Sequence, residues 1–303
     1  MEKVEDVENK ESVKKPYGDN VAPIWRWVVA FLFGSVVGVL IGAVLAAIVR
    51  KIPVFQEGQW LYCENSLLLS MATFVGLYTG YALGIRIFCN TSLRTFFFGK
   101  DRKPEMKTVI IAGGFYLIGC IIVDLSCFKE ISFNNQPVSV FIVNLVLVLL
   151  LLWTQTTTEE IVFRGFFLRA PYGNKVPTLP KGLLFAIISS LVFMAGHLSN
   201  PEVSDITGLE FVAGTASYFL AGFFMYIINL LVGGMEGGLV IHYLNNFYCL
   251  VCISEFNSAI PAPTWFVKQP EKHPGYMSLL CELAAYGFAF AYIIYHNKKK
   301  KVE

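Results

Sequence analysis

Among the stretches of this 303-residue chain that hold no charged side chain are 23 residues between Arg26 and Arg50 and 28 between Glu130 and Glu159. About 20 apolar helical residues cross a hydrocarbon core of roughly 30 Å, so each stretch is long enough to span a bilayer. Charged residues make up 15% of the chain and the mean hydropathy is +0.57, whereas an ordinary soluble domain is about 25% charged. A soluble globule is excluded. A nucleic-acid partner is excluded too, because the net charge is only +2 and the basic residues cluster beside apolar segments rather than along a stripe.

Eight apolar windows read as membrane helices, at about 24–49, 64–86, 106–127, 138–162, 182–200, 209–232, 236–254 and 276–296. Helix breakers fall between them: Pro53, Pro104, Pro137, Pro180, Pro201 and the group Pro261, Pro263, Pro270 and Pro274. The expected fold class is all-α, a polytopic membrane protein of about eight transmembrane helices. Four segments follow: a polar arm at 1–23, helices one to three at 24–130, helices four to seven at 131–255, and a loop, an eighth helix and a basic tail at 256–303. The arm carries six acids and four lysines with few apolar residues, the composition of a disordered segment and not of a signal peptide.

Lysine and arginine set the expected orientation. With the N-terminus inside and eight spans, the inner segments hold 19 of the 24 basic residues and the outer loops 5. Both termini are therefore expected on the cytoplasmic side of a cell membrane, with the Lys298–Lys301 run as a surface anchor. Helices one and two carry glycines at every fourth position, Gly34, Gly38 and Gly42 against Gly76, Gly80 and Gly84. Such small faces let two helix backbones approach closely in lipid.

Polar residues inside apolar spans are costly and mark functional sites. They occur in three places: Glu159, Glu160 and Arg164 in TQTTTEEIVFRG; Phe193 and His197 in LVFMAGHLSN; and His242, Asn245 and Asn246 in GGLVIHYLNNF. Glu160 and Arg164 are four apart and share a helical face. Glu159 is rotated by about 100°, so one arginine does not neutralise both carboxylates. His242 and Asn246 are again four apart. Two histidines, a carboxylate and a carboxamide from three helices suit hydrolysis, although Glu160–Arg164 alone also reads as a structural ion pair, and a lone His197 as a packing residue. His273 and His296 read as packing residues, Glu282 as a snorkelling or paired group, and Asp124 as solvated at a span end. The seven cysteines (Cys63, Cys89, Cys120, Cys127, Cys249, Cys252 and Cys281) lie mostly in apolar segments and read as packed thiols, including the CxxC of Cys249 and Cys252.

The motifs EEIVFR (159–164), FMAGH (193–197) and HYLNN (242–246) match the EExxxR, FxxxH and HxxxN patterns of the CPBP family, also called the ABI family, of CAAX prenyl proteases and bacteriocin-processing enzymes. The motif-bearing region, 138–255, is about two-fifths of the chain. The resemblance implies an intramembrane active-site cavity in which Glu159 is the catalytic glutamate. It further implies that His197 helps hold a water and that His242 and Asn246 form the oxyanion-stabilising side, with Glu160, Arg164 and Phe193 in support.

The expected activity is an intramembrane endopeptidase. Glu159 activates water against a peptide bond of a membrane-associated or lipidated peptide or protein, and the partners are that substrate and the lipid bilayer. No cofactor is expected. Zinc on His197, His242 and Glu159 is the alternative, but the short HExxH motif is absent. A second functional reading is a catalytically silent membrane regulator or scaffold that binds a partner membrane protein, such as a sensor kinase, or acts in bacteriocin immunity. A transporter is disfavoured because no duplicated halves are visible.

Overall fold

The computed structural model describes residues 22–59, 64–126, 131–172, 177, 179–255, 257–260, 262–268 and 275–302. Nearly all of the predicted arm lies outside these residues, as do Cys63, Cys127, His273, Pro261, Pro270 and Pro274. Among the described residues the chain is overwhelmingly helical, as expected. The helices are α1 (Ile24–Val49), α2 (Glu64–Cys89), α3 (Leu93–Phe98), α4 (Met106–Ser126), α5 (Val138–Glu160), α6 (Phe166–Tyr172), α7 (Leu179–His197), α8 (Pro201–Ser204), α9 (Gly208–Val232), α10 (Glu236–Phe247) and α11 (Gly275–Val302). Among the described residues six segments are long and apolar enough to cross a membrane: α1, α2, α4, α5 continuing into α6, α7 and α9. The other two expected spans are helices outside that set. α10 is short and carries Glu236, His242 and two asparagines, and α11 carries Glu282 and the lysine tail.

α5 runs past its predicted end through a π-turn at Ile161–Gly165 into α6. A second π-turn, Tyr248–Cys252, follows α10. Pro180 is accommodated in the first turn of α7, where a missing N–H costs no helical bond. The lysine tail continues α11 as helix, and Lys300 Nζ lies 2.7 Å from Glu105.

α1 and α2 pack along their glycines. A Cβ on Gly38 would stand 2.7 Å from the Leu77 Cα, and one on Gly76 or Gly80 would strike the α1 backbone. The opposite face of α1 presents Val28, Leu32, Val36, Val39 and Val44 outward, a pattern suited to lipid and not to water. Aromatic packing of Trp27, Phe96 and Phe166 joins α1, α3 and α6. Tyr116, Ile228 and Tyr286 join α4, α9 and α11.

Three short strands, β1 (Ile131–Phe133), β2 (Ile253–Glu255) and β3 (Phe266–Lys268), form a sheet with β3 central. β1 runs antiparallel and β2 parallel to β3. Two sequence expectations are corrected at this end of the molecule. Asp124 is not solvated: it is 5% exposed, 2.9 Å from Lys268 of β3, and accepts a 2.8 Å bond from the Tyr248 hydroxyl. The CxxC is not wholly packed, because Cys249 is exposed on a cavity wall where Cys120 also appears.

Candidate active site

The threonine-rich end of α5 prepares the site. Thr156 and Thr158 donate to the Leu152 and Thr154 carbonyls one turn back, which satisfies their hydroxyls inside an apolar segment. Gln155 and Glu159 share the face that these residues leave toward the interior.

Consecutive glutamates then receive different partners. Glu160 is fully buried. Its Oε1 accepts from Arg164 Nη1 at 3.0 Å and lies 2.8 Å from His242 Nδ1. The Arg164 guanidinium is fully buried as well and sits 4.1 Å above the Phe193 ring centroid, a cation–π contact strengthened by desolvation. The helical-face argument for Glu160 and Arg164 thus survives the π-turn between them.

Glu159 keeps 12% of its side chain exposed, against none for Glu160. Gln155 Nε2 donates to its Oε1 at 2.5 Å, and His242 Nε2 is 3.3 Å from its Oε2. His242 therefore bridges both glutamates. A neutral imidazole has one N–H, so two hydrogen bonds to two carboxylates require a second proton, either on the ring or on a glutamate.

Asn246 joins the cluster indirectly. Its Nδ2 donates to Gln155 Oε1 at 2.9 Å, and its Oδ1 accepts from Asn245 at 3.0 Å. The Tyr116 hydroxyl donates to Asn245 Oδ1 at 2.8 Å. Each amide in this chain, from Tyr116 to Glu159, is thereby oriented by its neighbour.

His197 is held separately. Its Nδ1 donates to the Phe193 carbonyl at 2.7 Å, and its ring stacks on Tyr218 at 4.5 Å. That bond places the ring proton on Nδ1 and leaves Nε2 as an acceptor. Phe193 packs between the two histidines, its ring centroid 4.2 Å from that of His197 and 6.2 Å from that of His242. Tyr218 in turn donates to Glu202 at 2.7 Å and accepts from Asn200 at 3.2 Å.

The seven candidate residues therefore gather from α5 and its π-turn, α7 and α10. Glu159, Glu160, Arg164 and His242 form one contact group, with Asn246 attached through Gln155 and His197 through Phe193. Glu159, Phe193, His197, His242 and Asn246 all line a cavity of about 830 Å³. Gln155, Tyr116 and Tyr218 were not singled out from sequence. Gln155 carries a usable signal, since it lies one turn before Glu159, but the two tyrosines have no spacing that ties them to the motifs. Glu282 neither snorkels nor gains a full set of bonds: it lines the cavity, and its buried Oε2 has no hydrogen-bond partner.

For zinc, three ligands and an open fourth position are needed. Among the described residues no group of three His, Cys, Asp or Glu side chains is placed to hold a metal ion. Both His242 nitrogens face carboxylates.

Comparison with known proteins agrees with the motifs. Residues 140–248 match the family described as type II CAAX prenyl endopeptidase Rce1-like. Over 299 aligned residues the chain is 27% identical to the uncharacterized protein YyaK of Bacillus subtilis (strain 168), covering 91% of this chain and 94% of that protein. No solved structure matches. The segment bearing all three motifs is thus similar to the Rce1-like type II CAAX prenyl endopeptidases, and the resemblance to the CPBP family is borne out.

Proposed function

We propose that this protein is an intramembrane endopeptidase in which Glu159 activates water against a peptide bond. One observation carries the reading: of two adjacent glutamates, Glu160 is enclosed by Arg164 and His242, while Glu159 faces the cavity.

In this reading the Glu159 carboxylate takes a proton from a water whose other hydrogen is accepted by His197 Nε2. The resulting hydroxide adds to the scissile carbonyl and forms a tetrahedral intermediate. Collapse breaks the C–N bond, and Glu159 returns its proton to the departing amine. No covalent enzyme intermediate is needed. The Asn246 amide, exchanging its bond to Gln155 for one to substrate, donates to the developing oxyanion, a contribution of about 2.7–4 kcal/mol for one such donor. His242 is committed to the two glutamates, so it steadies Glu159 and shares its proton instead of reaching the oxyanion. Arg164 balances the charge of Glu160.

A quantitative survey of protein termini tests the proposal, in source-organism cells producing the intact chain or Glu159→Gln. New termini present with the intact chain and lost in the variant support it and name the substrates. Identical termini, with the variant still complementing any phenotype, would favour the silent regulator.

A further inference from the structure

The cavity is one-sided. Its lining comes from between residues 155 and 163, near the middle of the continuous α5–α6 helix. It comes from between residues 70 and 81 of α2, 210 and 225 of α9, and 282 and 286 of α11, in each of these three reaching from the N-terminal part of the helix no deeper than just past its middle. It comes also from near the C-terminal ends of α4, α7 and α10. The spans alternate in direction, so the lining extends from the middle of the bundle toward one face, and Asn200, Glu202, Ser258 and Lys268 continue the wall into that face's connections.

Toward the other face the lining stops. There Arg102 holds Glu236 at 2.5 and 3.1 Å. Arg169 donates to the Phe96 and Phe97 carbonyls at 2.6 and 3.1 Å. The buried Arg164–Glu160 pair lies just beneath Glu159. Among the described residues, none of 86–107, 164–181, 226–241 or 287–302 lines the cavity.

The closed face is also the basic one, because the segments ending on it hold 14 of the 17 lysines and arginines among the described residues. Basic loops stay in the cytoplasm, so the cavity faces away from it. The wall is acidic: among the described residues it includes Asp124, Glu159, Glu202, Glu210 and Glu282 against one lysine, Lys268, which lies 2.9 Å from Asp124. A cleft lined by one sign of charge concentrates the opposite sign, and the unsatisfied Oε2 of Glu282 offers a cation an acceptor.

We infer that the protein takes its substrate from the non-cytoplasmic side of the membrane, as a peptide segment carrying basic residues. The word substrate rests on the peptidase reading, whereas the side of access does not.

Thiol labelling of the full-length protein in intact cells tests this inference. In a background with the seven cysteines replaced by serine, single variants Ser217→Cys (cavity wall), Gln59→Cys (exposed loop on the open face) and Lys103→Cys (exposed loop on the closed face) are treated with membrane-impermeant methanethiosulfonates. The cationic trimethylammonium reagent should label Ser217→Cys and Gln59→Cys in intact cells, and Lys103→Cys only after permeabilisation. Its rate relative to the anionic sulfonate reagent should be on the order of ten-fold higher at Ser217→Cys than at Gln59→Cys. If Ser217→Cys instead follows Lys103→Cys, the inferred side is wrong; if the two rate ratios are equal, the preference for basic segments is wrong. Should the cysteine-free background fail to insert, Cys249 of the natural chain, exposed on the same wall, gives the same readout by peptide mass. Termini unaffected by Glu159→Gln alongside the expected labelling would remove the peptidase reading and leave the side of access standing.

Discussion

His242 Nδ1 lies 2.8 Å from the Glu160 oxygen that also accepts from Arg164, while its Nε2 lies 3.3 Å from Glu159. One imidazole thus links a carboxylate with no solvent access to a carboxylate on a cavity. In the proposed reading this divides the labour within EEIVFR: the second glutamate fixes the histidine, and the first is left to do chemistry.

Removing Arg164 leaves Glu160 in a desolvated site without its guanidinium partner. Breaking one side of a buried pair costs about 3–5 kcal/mol, so Arg164→Ala is expected to lower both the thermal midpoint of the purified protein and its yield in membranes. Normal yield, midpoint and activity in Arg164→Ala would refute the structural role of the pair.

Gln155 orders two site groups at once, since it donates to Glu159 and accepts from Asn246. Gln155→Leu keeps the size and helical propensity but cuts both bonds. Misplacement of reacting groups by about 1 Å costs on the order of a hundred-fold in rate, so turnover should fall by about that factor with the thermal midpoint little changed. An unaltered rate would mean that Asn246 and Glu159 need no bridge.

The glycine seam makes a paired prediction. A Cβ at Gly80 would lie 2.7 Å from the Gly38 Cα, whereas one at Gly114 would meet nothing within 4 Å. Gly80→Ala should therefore destabilise the fold by pushing α1 from α2, and Gly114→Ala should be neutral or stabilising by up to about 1 kcal/mol through helix propensity. The comparison is made by thermal midpoints in the same detergent, and equal midpoints would contradict the close approach.

Much of this was legible in the sequence, for a physical reason. Charges are costly in lipid, so apolar windows located α1, α2, α4, α5, α7 and α9 as well as the shorter α10, and the few polar residues within α5, α7 and α10 stand out as the site. Small-residue spacing located the α1–α2 contact. What escaped notice depended on long-range placement. Strands of three residues carry too little periodicity to announce a sheet, and without the sheet Lys268 could not be brought to Asp124. Tyr116 lies among apolar residues on α4, and only the packing of α4 against α10 brings it to Asn245. The π-turn at Ile161–Gly165 leaves the Glu160–Arg164 contact intact but carries α5 on into α6, ten residues beyond its expected end.

Chelation separates the glutamate mechanism from the zinc alternative. His242 has both nitrogens directed at glutamates, so EDTA treatment followed by zinc addition should leave the cleavage rate unchanged at each step. Abolition by EDTA with recovery in zinc would instead make His197, His242 and Glu159 metal ligands.

The most direct measurement is the cleavage rate of a substrate found by the termini survey, using the purified full-length protein in lipid vesicles and its Glu159→Gln and Glu159→Asp variants. Loss of a general base costs typically about 10²–10⁴-fold. Glu159→Gln should therefore lose at least that much with an unchanged thermal midpoint, and Glu159→Asp should retain a measurable fraction. A folded Glu159→Gln protein that cleaves at the natural rate would contradict the account.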